Sequence, residues 1–182
     1  MDLRKKCLSV ERVFEELDRL ICAYKNKNKI DCLPECKGEC CKKEDLYTTV
    51  LEFLPLAFFL HSEGISEKIF AESELNRDST CVLYSEETGK CLFYRHRGLI
   101  CRLFGFSSIK DKNNRLQMVT CRWIKSAYKD SVVLNPSNII MLDYQRRLSL
   151  IDTTYGTKLT HVNKSIKTAI ELVGMYLKYN RI

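Results

Sequence analysis

Hydrophobic and polar positions divide the chain into periodic stretches at both ends and an aperiodic middle. Over residues 9–25, Val10, Val13, Phe14, Leu17, Leu20 and Tyr24 recur at helical spacing, with Glu11, Glu15, Glu16 and Asp18 off the stripe. That pattern predicts an amphipathic helix capped by Ser9. Residues 30–43 (IDCLPECKGECCKK) have no period and predict a loop built around four cysteines. The stretch TVLEFLPLAFFLHSEG predicts a second helical segment, capped by Thr48 or Thr49 and closed by Gly64, with Pro55 starting or kinking it. A short helix follows over 66–75. The β-prone runs 80–84 and 90–94 flank SEETG and predict a hairpin, and a second hairpin is expected between Ser107 and Cys121 around Asp111–Asn114. Asn135 followed by Pro136 predicts a helix start, with Ile139, Ile140, Leu142 and Leu148 as its apolar face. Thr160 is expected to cap a last helix that carries Val162, Ile166, Ala169, Ile170, Val173 and Leu177 on one side. The expected fold is mainly α with small β-hairpins, a single domain over 1–182. Its helices wrap around a cysteine-rich metal-binding core at about 32–121, with a helical C-terminal part at about 135–180.

Composition adds one unusual feature. The 182 residues are 45% hydrophobic and 29% charged, an ordinary globular balance, but ten are cysteine. That exceeds ordinary usage and falls short of a small disulfide scaffold. The N-terminal stretch is positive, yet neither an apolar run nor a small-residue cleavage site follows, which is not the pattern of a secretory signal. Leu54–Leu60, the longest uncharged apolar stretch, is interrupted by Pro55 and falls far short of the roughly 20 residues of a membrane span. A cytoplasmic protein with no membrane partner is therefore expected. In a reducing compartment stable disulfides are rare, so clustered cysteines point to metal binding or redox chemistry.

Eight cysteines form an organised set. Cys32, Cys36, Cys40 and Cys41 follow C-x3-C-x3-C-C, Cys81, Cys91 and Cys101 follow C-x9-C-x9-C, and Cys121 comes later. Cys7 and Cys22 stand apart and read as ordinary thiols. Soft thiolates select zinc, copper(I) or iron–sulfur clusters. Four of them fill a tetrahedral zinc site or hold a cluster, so eight suit two sites. Neighbouring side chains diverge, so Cys40 and Cys41 are expected to serve different sites; one site plus spectator thiols is the alternative. Whether Cys81 and Cys91 share a face depends on the hairpin loop: four residues (Glu86–Gly89) put them on opposite faces, five (Ser85–Gly89) on one. No C-x2-C occurs, which excludes the common zinc-knuckle, thioredoxin and bacterial ferredoxin spacings.

The stretches CLPECKGECC (32–41) and CVLYSEETGKCLFYRHRGLICRLFGF (81–106), with Cys121, resemble the YkgJ-type cysteine-cluster family, also written CxxCxxCC. Gly38, Cys40, Cys41, Cys81, Cys91, Tyr94, Arg97, Cys101 and Arg102 occupy places of its pattern, over roughly half the chain. The resemblance implies a zinc- or iron-chelating domain. Two departures stand out: the first two gaps are wider than in the family, and Gly98 replaces a proline. Some larger proteins with a similar cysteine pattern are flagellin lysine methylases that use S-adenosylmethionine. That activity is not carried over, because no glycine-rich nucleotide loop is present here.

Around the cysteines, Arg102 and Arg97 are candidate outer-sphere partners of the site, able to donate hydrogen bonds to ligand sulfur and offset thiolate charge. Arg97 has a pairing with Glu86 or Glu87 as its alternative. His96 reads as a solvated histidine, and His61 and His161 as surface residues. Glu52 reads either as a ligating or positioning group or as an exposed helix glutamate. Thirty Lys and Arg against 23 Asp and Glu give a net charge of +7. Lys37, Lys42, Lys43, Arg95, Arg115, Arg122 and Lys125 lie near the cysteines, with Tyr84, Phe93, Tyr94 and Trp123 among them. Charge balance around thiolates is the expected reading, ahead of a nucleic-acid footprint. HExxH, GxSxG, GxxxxGK and GxGxxG are absent, and no catalytic residue or protein partner follows. The expected function is a metal-binding protein that holds an iron–sulfur cluster or zinc through Cys32, Cys36, Cys40, Cys41, Cys81, Cys91, Cys101 and Cys121. The alternatives are a metal-dependent modification enzyme or oxidoreductase, and a zinc-stabilised nucleic-acid-binding module.

Overall fold

A computed structural model describes residues 2–76, 80–130 and 135–180. The first helix, α1 (Leu3–Asn28), is longer than its stripe predicts. The Asp2 carboxylate accepts from the Lys5 amide at 3.2 Å and caps it, so Ser9 lies inside the helix and donates to the Lys5 carbonyl. Its buried face runs through Cys7, Val10, Val13, Phe14, Leu17 and Ile21, and Leu20 is left exposed. The stripe turns by one position because 3.6 residues per turn carries it from Leu17 to Ile21.

Strand β1 (Tyr47–Thr49) replaces the expected helix cap. Tyr and Thr are strand-prone, and the segment pairs antiparallel with β6 (Leu159–His161), Tyr47 opposite His161. A 3-10 turn over Leu51–Phe53 leads into α2 (Leu54–Ser62), which Pro55 starts rather than kinks. Leu54–Phe58 and Leu60 are all buried, so α2 is the central helix, packed by α1, α3 (Ser66–Leu75) and α7 (Val162–Tyr179). Apolar residues around the whole circumference mark such a buried helix.

The middle of the chain is built of short pieces. Strands β2 (Tyr84–Ser85) and β3 (Lys90–Cys91) form the first hairpin, and α4 (Leu99–Leu103) follows. Strands β4 (Ser107–Lys110) and β5 (Leu116–Val119) form the second, around an Asp111 carboxylate that accepts from the Asn113 and Arg115 amides. Helix α5 spans Arg122–Ala127.

The Asn135–Pro136 signal does not start a helix. The Asn135 carbonyl accepts from the Tyr24 hydroxyl at 2.8 Å, and the Ile139 carbonyl accepts from the Ser108 amide at 2.8 Å, so this segment runs extended beside β4. Helix α6 (Met141–Ile151) begins after it and buries Tyr144 and Leu148, with Leu142 exposed. The cap of α7 is His161, whose ring accepts from the Asn163 amide, while Thr160 lies in β6. His161 is buried, and the partly buried His61 ring meets the Ile170 carbonyl at 2.9 Å, so neither is the surface residue expected. The expected stripe of α7 is buried from Val162 through Val173.

Candidate metal centre

All ten cysteines are free thiols, and the eight of the organised set come from four segments. The first is the loop before β1. It folds as two 3-10 turns, Pro34–Cys36 and Glu39–Lys42, separated by Lys37 and Gly38, both at positive φ. At Gly38 a Cβ would stand 2.8 Å from the Gly89 carbonyl oxygen and 2.8 Å from the Tyr84 ring. Glycine is thus required both for the left-handed turn and for the close approach of loop and hairpin. The Tyr84 hydroxyl donates to the Lys37 carbonyl at 2.9 Å, and the Cys81 amide to the Cys41 carbonyl at 3.2 Å.

The hairpin contributes Cys81 and Cys91. Ser85 pairs with Lys90, the four-residue-loop register. Alternation does not reach Cys81, however, because residues before Tyr84 leave the strand: the Tyr84 amide turns back to the Cys81 carbonyl. Cys81 is the most buried of the eight. The Asn163 side chain holds its surroundings, accepting from the Val82 amide at 3.0 Å and donating to the Thr80 and Asn76 carbonyls.

Cys101 and Arg102 lie on α4, and Glu52 fixes where that helix starts. The buried Glu52 carboxylate accepts from the Leu99 amide at 2.6 Å, and from the Thr49 amide and hydroxyl at 2.8 and 2.9 Å. Burial raises its pKa, only partly offset by those donors. Gly98, with φ −66, adopts a backbone angle open to proline, but any Cβ there would sit 2.9 Å from the Glu52 carboxylate. Cys121, the last of the eight, caps α5 with its thiol 3.5 Å from the Ile124 amide. Arg122, beside it, pairs with Glu39 at 2.5 Å and ties α5 to the first loop.

The thiols sense one another electrostatically. After burial, the main influences raising the Cys32 pKa include Cys40, Cys121 and Cys36, and it reaches about 11. Burial, Cys81 and Cys40 raise Cys101, while burial, Cys91 and Cys40 raise Cys81 to about 12. The adjacent pair shares a hydrogen bond that lowers Cys40 and raises Cys41. Cys40 therefore neighbours thiols of the first loop, the hairpin and α4, and Cys121 neighbours Cys32 and Cys36, whereas Cys7 is in the α1 core and Cys22 is exposed on its surface. Among the described residues, no three His, Cys, Asp or Glu side chains converge in a ready-made metal geometry.

The two arginines are held by Asp18 of α1, which lies off the apolar stripe of that helix. Its carboxylate pairs with Arg97 at 3.0 Å and with the buried Arg102, which also donates to the Arg95 carbonyl at 2.6 Å. Arg97 pairs here rather than with Glu86 or Glu87, and lies over the Tyr94 ring at 4.0 Å. Arg102 lies over Phe14 at 4.3 Å. The Nε atoms of both are buried without a hydrogen-bond partner. His96 is not fully solvated; it stacks on Phe59 with ring centroids 4.4 Å apart.

A cleft of about 1000 Å³ opens between α1 and these loops. Cys32, Cys36, Cys40, Cys101 and Cys121 border it, as do Asp18, Arg97 and Arg102. Asp18 and Asn163 left no local signal in the sequence. They lie outside the cysteine segment, and only tertiary packing brings them to it. No helix of the described residues is long and apolar enough to cross a membrane. No curated protein and no solved structure matches the chain. A family model described as "CxxCxxCC: Putative zinc- or iron-chelating domain" matches residues 31–122, from just before Cys32 to just after Cys121 and half of the sequence. The chain belongs to the CxxCxxCC family.

Proposed function

We propose that this protein chelates zinc or an iron–sulfur cluster through Cys32, Cys36, Cys40, Cys41, Cys81, Cys91, Cys101 and Cys121, with Arg97 and Arg102 as outer partners of the sulfurs. The observation that carries the reading is the proximity of thiols from the first loop, the hairpin and α4 around Cys40, with Cys121 beside Cys32 and Cys36 and with Cys7 away in the α1 core. The donor set fits a soft metal: thiolates are the form that binds zinc and iron. The unpartnered Nε–H groups of Arg97 and Arg102 fit too. Cys91 feels the charge of Arg97, and Arg102 that of Cys101, so a thiolate is the acceptor such donors would find. Zinc held by four thiolates would stabilise the loops, which have little regular structure of their own. A cluster would supply one-electron redox chemistry.

The test is an anaerobic preparation without a metal-binding tag. Its visible spectrum, iron, zinc and sulfide are measured. Iron with sulfide identifies the cluster, and stoichiometric zinc without colour identifies zinc. Cys101→Ser should lower metal content and Cys22→Ser should not. A metal-free protein that takes up neither metal when reduced would refute the proposal.

A further inference from the structure

The eight sulfurs do not face one common space. Cys40 and Cys41 occupy consecutive positions of the 3-10 turn Glu39–Lys42, where each residue rotates about 120° from the last. Both side chains border a small cavity, and of the two only Cys40 also borders the cleft. Cys32, Cys36 and Cys121, together with Cys22 of α1, border the open cleft of about 1000 Å³ and not the smaller cavity. Cys41 borders a small, partly open cavity of about 40 Å³, which Lys43, Leu46, Ile100 and Phe104 also line, and not the cleft. Cys40 and Cys101 border both. Cys81 and Cys91 border neither, but the Cys81 amide is bonded to the Cys41 carbonyl, and Cys91 lies opposite Tyr84 in the hairpin that begins there. On the other side, the Glu39–Arg122 pair ties the first loop to the segment of Cys121.

From this division we infer two centres of unequal access. Cys32, Cys36, Cys40 and Cys121 hold a metal that faces the cleft. Cys41, Cys81, Cys91 and Cys101 hold a second beneath the hairpin. The inference rests on the proposed chelation and specifies how the sulfurs share it. Four thiolates complete a tetrahedral soft-metal site on each side, and Cys40 and Cys41 place the two next to each other. A chelator does not fit in the small cavity beside Cys41 and Cys101, whereas the cleft admits a small molecule.

The experiment loads reduced, metal-free protein with zinc(II) under anaerobic conditions. It measures bound zinc per chain and then the kinetics of zinc transfer to a coloured chelator. Two zinc ions per chain, released in a fast and a slow phase of equal amplitude, are expected. Cys36→Ser should keep one zinc and only the slow phase, and Cys91→Ser one zinc and only the fast phase. The biphasic release of the unmodified protein stands as evidence even if a variant fails to fold. A single zinc per chain that both variants lose overturns the two-centre division and leaves chelation standing. Release of two ions in one phase overturns the unequal access. Failure of the unmodified protein to bind zinc, and to take up iron and sulfide in a parallel reconstitution, overturns the chelation itself.

Discussion

Replacing Glu52 tests how the fold aims Cys101. The carboxylate accepts from two buried amides, Thr49 and Leu99, and from the Thr49 hydroxyl. Glu52→Ala leaves both amides without an acceptor, and each such buried group costs about 1–3 kcal/mol. The hydroxyl can turn elsewhere, and removing a carboxylate that burial disfavours returns part of the loss. About 3 kcal/mol of destabilisation is the expected balance, or a fall in Tm of about 6–12 °C for a chain of this size. Glu52→Gln keeps the shape and one acceptor oxygen, so it should lose about half as much. Both variants also differ from the parent in pH dependence. Because the folded pKa of Glu52 is raised above 4.5, the folded state holds its proton more tightly than the unfolded state does. Its contribution is therefore largest in acid and declines as pH rises from 4.5 through the folded value, a limb that Glu52→Gln lacks. Thermal unfolding of the reduced, metal-free protein, followed by circular dichroism, measures both effects. A Glu52→Ala variant within about 0.5 kcal/mol of the parent would refute the reasoning, since that is the scatter of ordinary surface substitutions.

Three further outcomes are expected. Asp18→Asn weakens the one carboxylate shared by Arg97 and Arg102; with Asp18 partly exposed, about 1–2 kcal/mol should be lost, together with metal retention, read by unfolding and metal content. Gly38→Ala meets a positive φ as well as the Gly89 carbonyl, so it should cost about 2 kcal/mol and release metal faster, with a native-like far-ultraviolet spectrum. Burial would raise the Asp152 pKa, but the bond from Lys6 and the Tyr155 and Thr154 amides more than offset it, so the folded value lies below 3.8. Its stabilisation is full above pH 3.8 and disappears as pH falls through the folded value; Asp152→Asn should abolish that acid limb of the stability profile.

The sequence patterns located the helices well and their ends poorly, for a physical reason. The stripes of α1 and α7 and the span 66–75 are local amphipathic signals that core burial reinforces. The misplaced ends are at Thr48–Thr49 and Thr160, where the expected caps pair with each other as β1 and β6, and at Asn135–Pro136, which precedes the Ile139–Ile140 pairing with Ser108 of β4. No local rule anticipates such long-range pairing. The candidate site divides in the same way. Cysteine spacing and the Cys101–Arg102 step are visible in one dimension. Asp18 and Asn163 act from α1 and α7, and read locally they are an acidic helix position and a polar residue at a helix start.

The basic character of the chain takes on a different meaning if the sulfurs ligate. The net charge of +7 counts every thiol as neutral, and the raised pKa values of Cys32, Cys81 and Cys101 agree with protonated thiols in the metal-free state. Metal binding requires thiolates and expels their protons. Four thiolates around a dication, or around a cluster core of charge +2, add two negative charges. One occupied centre thus lowers the net charge to about +5, and two to about +3. Exposed Lys37, Lys42, Lys43, Arg122 and Lys125 then balance the sulfur. Cation-exchange elution of metal-free and loaded protein at pH 7, calibrated by a ladder of lysine-acetylated species, counts that change whichever metal is bound. A loss of four charges supports two centres, a loss of two supports one, and unchanged elution on loading would refute ligation by thiolate.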